Sequence, residues 1–136
     1  MEKNLWYQLN LLQKQDKAWH MTRIESSTIN GIPDVHACVY GSSFWLELKS
    51  NEDKNFGLSK YQIIWQIDYI NAGGLVYNLV FAPSQRLLKL MRILPSMFAF
   101  CSGKEDKVER FEVLDTVKYN SENLHKIIKS IPIRNS

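Results

Sequence analysis

Asp34, Glu47 and Lys49 are the residues of this chain whose types and spacing could do chemistry. Carboxylate oxygens are the preferred ligands of a hard divalent cation such as Mg²⁺, which keeps several of its waters available for reaction. A lysine ammonium beside two such carboxylates is a fixed donor for negative charge that develops on a phosphate. Two carboxylates and one lysine therefore suit metal-assisted hydrolysis of a phosphodiester, provided the fold brings them together.

The elements that must do so can be read from the pattern. Asp34 to Tyr40 and Ser43 to Lys49 both alternate with period two, and Gly41-Ser42 between them suits a two-residue type II′ turn. That register sets Tyr40 opposite Ser43, His36 opposite Glu47 and Asp34 opposite Lys49. Val35, Ala37, Val39, Phe44, Leu46 and Leu48 then share a core-facing side, and Asp34, Glu47 and Lys49 gather on the other. A Glu-x-Lys pair met alone is usually a solvated strand face, and Pro-Asp an ordinary strand start. The coupling of the two is what argues for a site. His36 and Cys38 fall on the site face; a structural or solvated role is the default for the former, contact with metal or substrate the other reading, and the latter is expected to be packed.

Around the hairpin, Glu2 to about Lys17 reads as an amphipathic helix carrying Leu5, Leu9 and Leu12, and His20 to Ser26 as a strand. The loop of residues 51–57, which includes Lys54, is polar and glycine-bearing, as expected of a segment near bound substrate. Ser59 can cap a helix that opens with Lys60 and runs to about Asn71, with Ile63, Ile67 and Ile70 inward and Gly73 ending it. Leu75 to Phe81 is a buried strand, which completes the order αβββαβ. Pro83-Ser84 is expected to start a further helix, with Arg86, Lys89 and Arg92 along one side. A solvated face is the default reading of those cations, a phosphate-contacting stripe the other. Residues 102–107 read as a polar loop, Phe111 to Val117 as an edge strand, and Ser121 to about Ile131 as a short helix.

Composition sets outer limits. With 136 residues, 45% of them hydrophobic, the chain is expected to form one domain: a core over about 1–82 and a C-terminal extension over about 83–136. A formal charge of +3 is compatible with nucleic acid without demanding it, because the cations are interleaved with acids. The two cysteines, Cys38 and Cys101, lack metal-ligand spacing, and no run approaches the roughly 18 apolar residues of a membrane span. A reduced, cytoplasmic protein that is not secreted is the expectation.

Gly31-Ile32-Pro33-Asp34-Val35 with Trp45-Leu46-Glu47-Leu48-Lys49 resembles the PD-(D/E)XK nuclease superfamily, and most closely its virus-type replication-repair branch and the related Holliday-junction resolvases. The match runs from about Glu25 to Tyr77. A bare PD…ExK pattern is weak; the hairpin context, Gln62 at the opening of the next helix and Gly73-Gly74 before the next strand strengthen it. The resemblance implies a restriction-endonuclease-like α/β fold, with a mixed central sheet flanked by helices. It also implies a Mg²⁺ site, tolerant of Mn²⁺, made by Asp34, Glu47 and the Leu48 carbonyl, with Lys49 as the catalytic ammonium and Gln62 supporting the phosphate or water. Either Glu25 or Glu2 would complete the site, with Glu25 favoured. Lys54, Lys60, Arg86 and Lys89 would contact DNA. The implied substrate is branched DNA, above all four-way junctions, cut by a homodimer. An exonuclease or a nicking or homing endonuclease of the same fold, or a non-catalytic DNA-binding protein, are the alternatives.

Overall fold

The computed structural model describes residues 2–26, 28–51, 56–94 and 111–134, without the side chains of Glu2 and Lys3. Elements follow in the order α1 (Glu2–Gln15), β1 (Trp19–Arg23), β2 (Val35–Val39), β3 (Ser42–Ser50), α2 (Lys60–Asn71), β4 (Val76–Ala82), β5 (Leu87–Ile93), β6 (Phe111–Lys118) and α3 (Ser121–Arg134). Up to Ala82 this is αβββαβ, as the pattern predicts. The loop at residues 102–107 and the side chain of Lys54 lie outside the described residues.

The strands form one open mixed sheet in the order β1-β2-β3-β4-β5-β6. Only β3 and β4 are parallel, because α2 carries the chain back across the sheet between them; every other neighbour is antiparallel. The central strand β4 is buried on both faces throughout. On one face α1 and α3 bury Leu5, Leu9, Leu124, Ile128 and Ile131 against Val35, Phe44, Leu46, Leu79 and Leu88. On the other, α2 packs Ile63 and Ile67 against Val80, Met91 and Ile93. Burial of these apolar faces on either side of the sheet is the main favourable contribution to folding.

Two local expectations are corrected. The hairpin turn is Tyr40-Gly41, not Gly41-Ser42: φ is positive at both (48° and 82°), the type I′ arrangement, and Val39 pairs with Ser42. Tyr40 holds this conformation, unusual for a residue with a side chain, through two anchors. Its backbone N–H donates to the Ala18 carbonyl and its hydroxyl donates to Asp16 Oδ2 at 2.6 Å. The pairing is shifted by two residues, so each side chain keeps its expected face, but His36 lies opposite Trp45 rather than Glu47.

The second correction concerns residues 83–93. They form no helix: residues 83–86 turn the chain and Leu87–Ile93 is strand β5, antiparallel to β4. Leu88 and Leu90 enter the core beneath α1 and α3, whereas Met91 and Ile93 enter the core beneath α2, so β5 is apolar on both faces. The resulting apolar spacing imitates helical periodicity, and that is why the segment reads as a helix. β5 and β6 continue the sheet, and α3 shares the core of α1, so the C-terminal third is built into the same layers.

Candidate functional site

The strand directions decide where polar groups collect. β1, β3, β4 and β6 all end at one edge of the sheet, and α2 and α3 begin from that edge. The start of α1 lies there too: Asn4, Leu5 and Gln8 line a cavity with Phe81, Arg86 and Tyr119. Each helix N-terminus carries a partial positive charge and unpaired N–H groups. This edge is therefore the side of the molecule suited to anions.

At this edge Asp34 immediately precedes β2 and meets Glu47 and Leu48 of β3. The Asp34 N–H donates to Glu47 Oε1 at 3.1 Å, and the Leu48 N–H donates to Asp34 Oδ2 at 3.0 Å. The two carboxylates thus stand on neighbouring strands, directly across from each other. Lys49 Nζ is 3.5 Å from Glu47 Oε2. Gln62, in the first turn of α2, donates from Nε2 to the same oxygen at 2.6 Å. Its position is set by a capping box: the Gln62 N–H donates to Ser59 Oγ at 3.2 Å, and the Ser59 N–H donates to Gln62 Oε1 at 2.8 Å. Gly31, at φ 85°, lets the loop before Asp34 lie directly on this turn; a Cβ there would run into the Tyr61 carbonyl.

Glu47 is only 2% exposed. Burial, and then the Asp34 carboxylate beside it, push its pKa up to about 8; Lys49 opposes the shift without cancelling it. A folded protein gains nothing from placing a carboxylate in such surroundings, whereas a bound cation would restore the ionised form. The donor set suits Mg²⁺, which is commonly held by one or two carboxylates, with water and substrate phosphate completing its shell. Among the described residues no group of three or more His, Cys, Asp and Glu is placed to hold a metal, so the pair is the whole carboxylate set found there.

The remaining expected residues are dispersed. Glu25 is exposed, just beyond the point where the Ile24 N–H pairs with the Asp34 carbonyl. Glu2 begins α1, at the correct edge, but its side chain lies outside the described residues. Lys60 is exposed at the start of α2. Lys89 stands in a row with Lys49 across the sheet, through the pairs Lys49–Val80 and Val80–Lys89, so it faces the same side as the site. Arg86 is at the turn before β5, beside Tyr119 and the start of α3. The two therefore reach the same edge of the sheet from a strand and a turn, not from one helical stripe.

Sequence reasoning missed the buried amide pair Gln66 and Asn78, which exchange hydrogen bonds of 2.8 and 2.9 Å and lock α2 to β4. Trp45, Trp65 and Tyr69 are, from the sequence, core residues by default or part of an apolar dimer face; the structure instead joins them with His36 in a set of rings beside the carboxylates. Their spacing in α2, four residues apart, was the available signal. Comparison with models of known families and with curated proteins finds no match to this chain. No helix of the described residues is long and apolar enough to cross a membrane.

Proposed function

We propose that this chain is a Mg²⁺-dependent deoxyribonuclease on a restriction-endonuclease-like core, an endonuclease that cuts branched DNA such as a four-way junction. The observation that carries the reading is the gathering of Asp34, Glu47, Lys49 and Gln62 at one edge of the sheet, with Glu47 buried and its carboxylate opposed by its surroundings. Such a cluster lowers stability when no cation is present, and it suits a site that must hold one.

Asp34, Glu47 and the Leu48 carbonyl would hold the cation, which when bound supplies Lewis-acid activation of the phosphate and of the attacking water. Lys49 presents its ammonium to the charge that accumulates on the phosphate oxygens in the transition state. Gln62 fixes the Glu47 carboxylate in place, and the N–H groups of the first turn of α2 favour the phosphate beside it. Lys60, Lys89 and Arg86 would contact the DNA backbone, with Lys54, which lies outside the described residues, as a further expected contact. A homodimer acting in the cytoplasm on two strands belongs to the same proposal and follows from the resemblance to the resolvases.

The test is cleavage of labelled four-way junction, flap and linear duplex in parallel, with Mg²⁺, Mn²⁺, Ca²⁺ and EDTA. Cutting of the junction in Mg²⁺ and Mn²⁺, with binding alone in Ca²⁺, is the expected result. Preference for linear duplex moves the assignment to an exonuclease or a nicking enzyme, and undiminished activity in EDTA removes the metal site.

A further inference from the structure

Beside the carboxylates the sheet has an open shelf. α2 covers β4 and β5, and among the described residues no helix lies over the same face of β1 and β2, where His20, Thr22, His36 and Ser43 are exposed. Two residue pairs along from Asp34 and Glu47, on the same face, His36 lies opposite Trp45, their rings 4.8 Å apart. Trp45 in turn meets Trp65 at 5.4 Å, and Trp65 stacks on Tyr69 at 5.0 Å with 17° between the planes. Trp45, Trp65 and Tyr69 are all half-buried, so they form a wall that stays open to solvent.

We propose that this shelf seats an unpaired nucleobase of the DNA strand being cut, stacked against the Trp45 and Trp65 wall. The inference rests on the nuclease reading and adds to it a substrate class: DNA with an unpaired nucleotide next to the scissile phosphate. Three observations carry it. The rings lie two strand residues from Glu47, a distance of about 7 Å, within reach of the base of a nucleotide whose phosphate is at the carboxylates. Aromatic side chains accept a base of any sequence by stacking, but a base in a paired duplex has no free face to offer. Lys49 and Lys60 at the site end suit the phosphate of that nucleotide, and the acid Asp68 stands beside Trp65 and Tyr69, at the far end from it, where the neutral base and not the phosphate would lie. A second copy of the chain fits less well, because the floor of His20, Thr22, His36 and Ser43 is polar where the centre of a protein interface is apolar.

The experiment is equilibrium binding by fluorescence anisotropy, in Ca²⁺ and again in EDTA, to three DNAs of one sequence: a duplex with a short single-stranded gap, the same duplex with abasic nucleotides in the gap, and the fully paired duplex. We expect the base-bearing gap to bind about tenfold or more tighter than the other two, the scale of one stacked base. A 2-aminopurine in the gap should lose fluorescence on binding. Trp45→Leu and Tyr69→Leu should each abolish the preference, whereas Trp65→Phe, which keeps a stacking ring, should retain most of it. Should a variant fail to fold, the abasic comparison on the unaltered protein decides alone. Equal affinity for base-bearing and abasic gaps overturns the proposal, as does a dimer in sedimentation that Trp65→Arg dissociates. A clear preference for the base-bearing gap with no Mg²⁺-dependent cleavage sustains the shelf and removes the nuclease reading.

Discussion

Two polar clusters lie at opposite edges of the sheet, and each is built around an acid. At one edge Glu47 is enclosed by Asp34, Lys49 and Gln62; at the other Asp16 accepts from the Tyr40 hydroxyl at 2.6 Å and bonds His125 Nε2 at 2.9 Å. The second cluster ties the end of α1, the hairpin turn and α3 together, and it is complete. The bond from Tyr40, then that from His125, hold the Asp16 carboxyl below the usual carboxylate range, and Lys129 lies over the Tyr40 ring. At Glu47 the balance runs the other way, since burial and a like charge outweigh the partners. An acid whose surroundings favour its charge fastens a fold. One whose surroundings oppose its charge is a candidate to hold a cation.

The sharpest way to break this contrast is to remove the groups. Asp34→Asn, Glu47→Gln and Lys49→Ala should each lower the single-turnover cleavage rate on the order of a thousandfold or more, and leave the fold intact. A Lys49→Ala protein that keeps more than about a tenth of the rate would exclude the proposed role of that ammonium. Gly31→Ala comes next. It forces the loop before Asp34 away from the Tyr61 carbonyl and strains a backbone at φ 85°, so we expect a stability loss of about 1–3 kcal/mol in urea titration, together with reduced cleavage.

The pH dependence of stability separates the clusters by sign. Between pH 4.5 and about 8 the folded chain keeps a proton on Glu47 that the unfolded chain has lost. Stability without a divalent cation should therefore fall across that window, by on the order of a few kcal/mol, and Glu47→Gln should flatten the slope. Asp16 acts oppositely: its contribution is present above its unfolded pKa of 3.8 and is lost as the pH drops below it. Urea midpoints measured from pH 3 to 9 would show both limbs, and a flat profile above pH 5 in the unaltered protein would refute the account of Glu47. The smallest effect is expected from Tyr40→Phe and His125→Ala, each lowering the urea midpoint slightly with the cleavage rate unaltered. A large loss of cleavage in either would mean that the two edges are coupled.

Much of the site was legible because period two is robust. The pairing of Asp34 was misplaced by two residues, yet an even shift leaves every side chain on its own face, so Asp34, Glu47 and Lys49 still converge. The choice of Tyr40 as a turn residue was not legible, because its positive φ depends on Asp16 and Ala18, far away in the chain. β5 was hidden because it buries Leu88 and Leu90 on one face and Met91 and Ile93 on the other, which erases the apolar alternation that identifies a half-buried strand. Ser59 and Gln62 could be read locally, whereas the ring wall draws on a strand and a helix separated by the loop of residues 51–59, a juxtaposition that only the tertiary fold supplies.

The amide of Gln62 has a fixed orientation, and this has a consequence for what the position can tolerate. Its oxygen is taken by the Ser59 N–H, so its nitrogen must face Glu47. Glutamate serves a capping box as well as glutamine does, and a helix considered by itself would accept either. Here glutamate would set a third carboxylate against Glu47 and Asp34, with no N–H left to offer. The spelling of this helix start is therefore restricted by a neighbour that the helix does not contain, and descendants of this chain that keep Glu47 should vary Lys60 and Tyr61 far more freely than they vary Gln62.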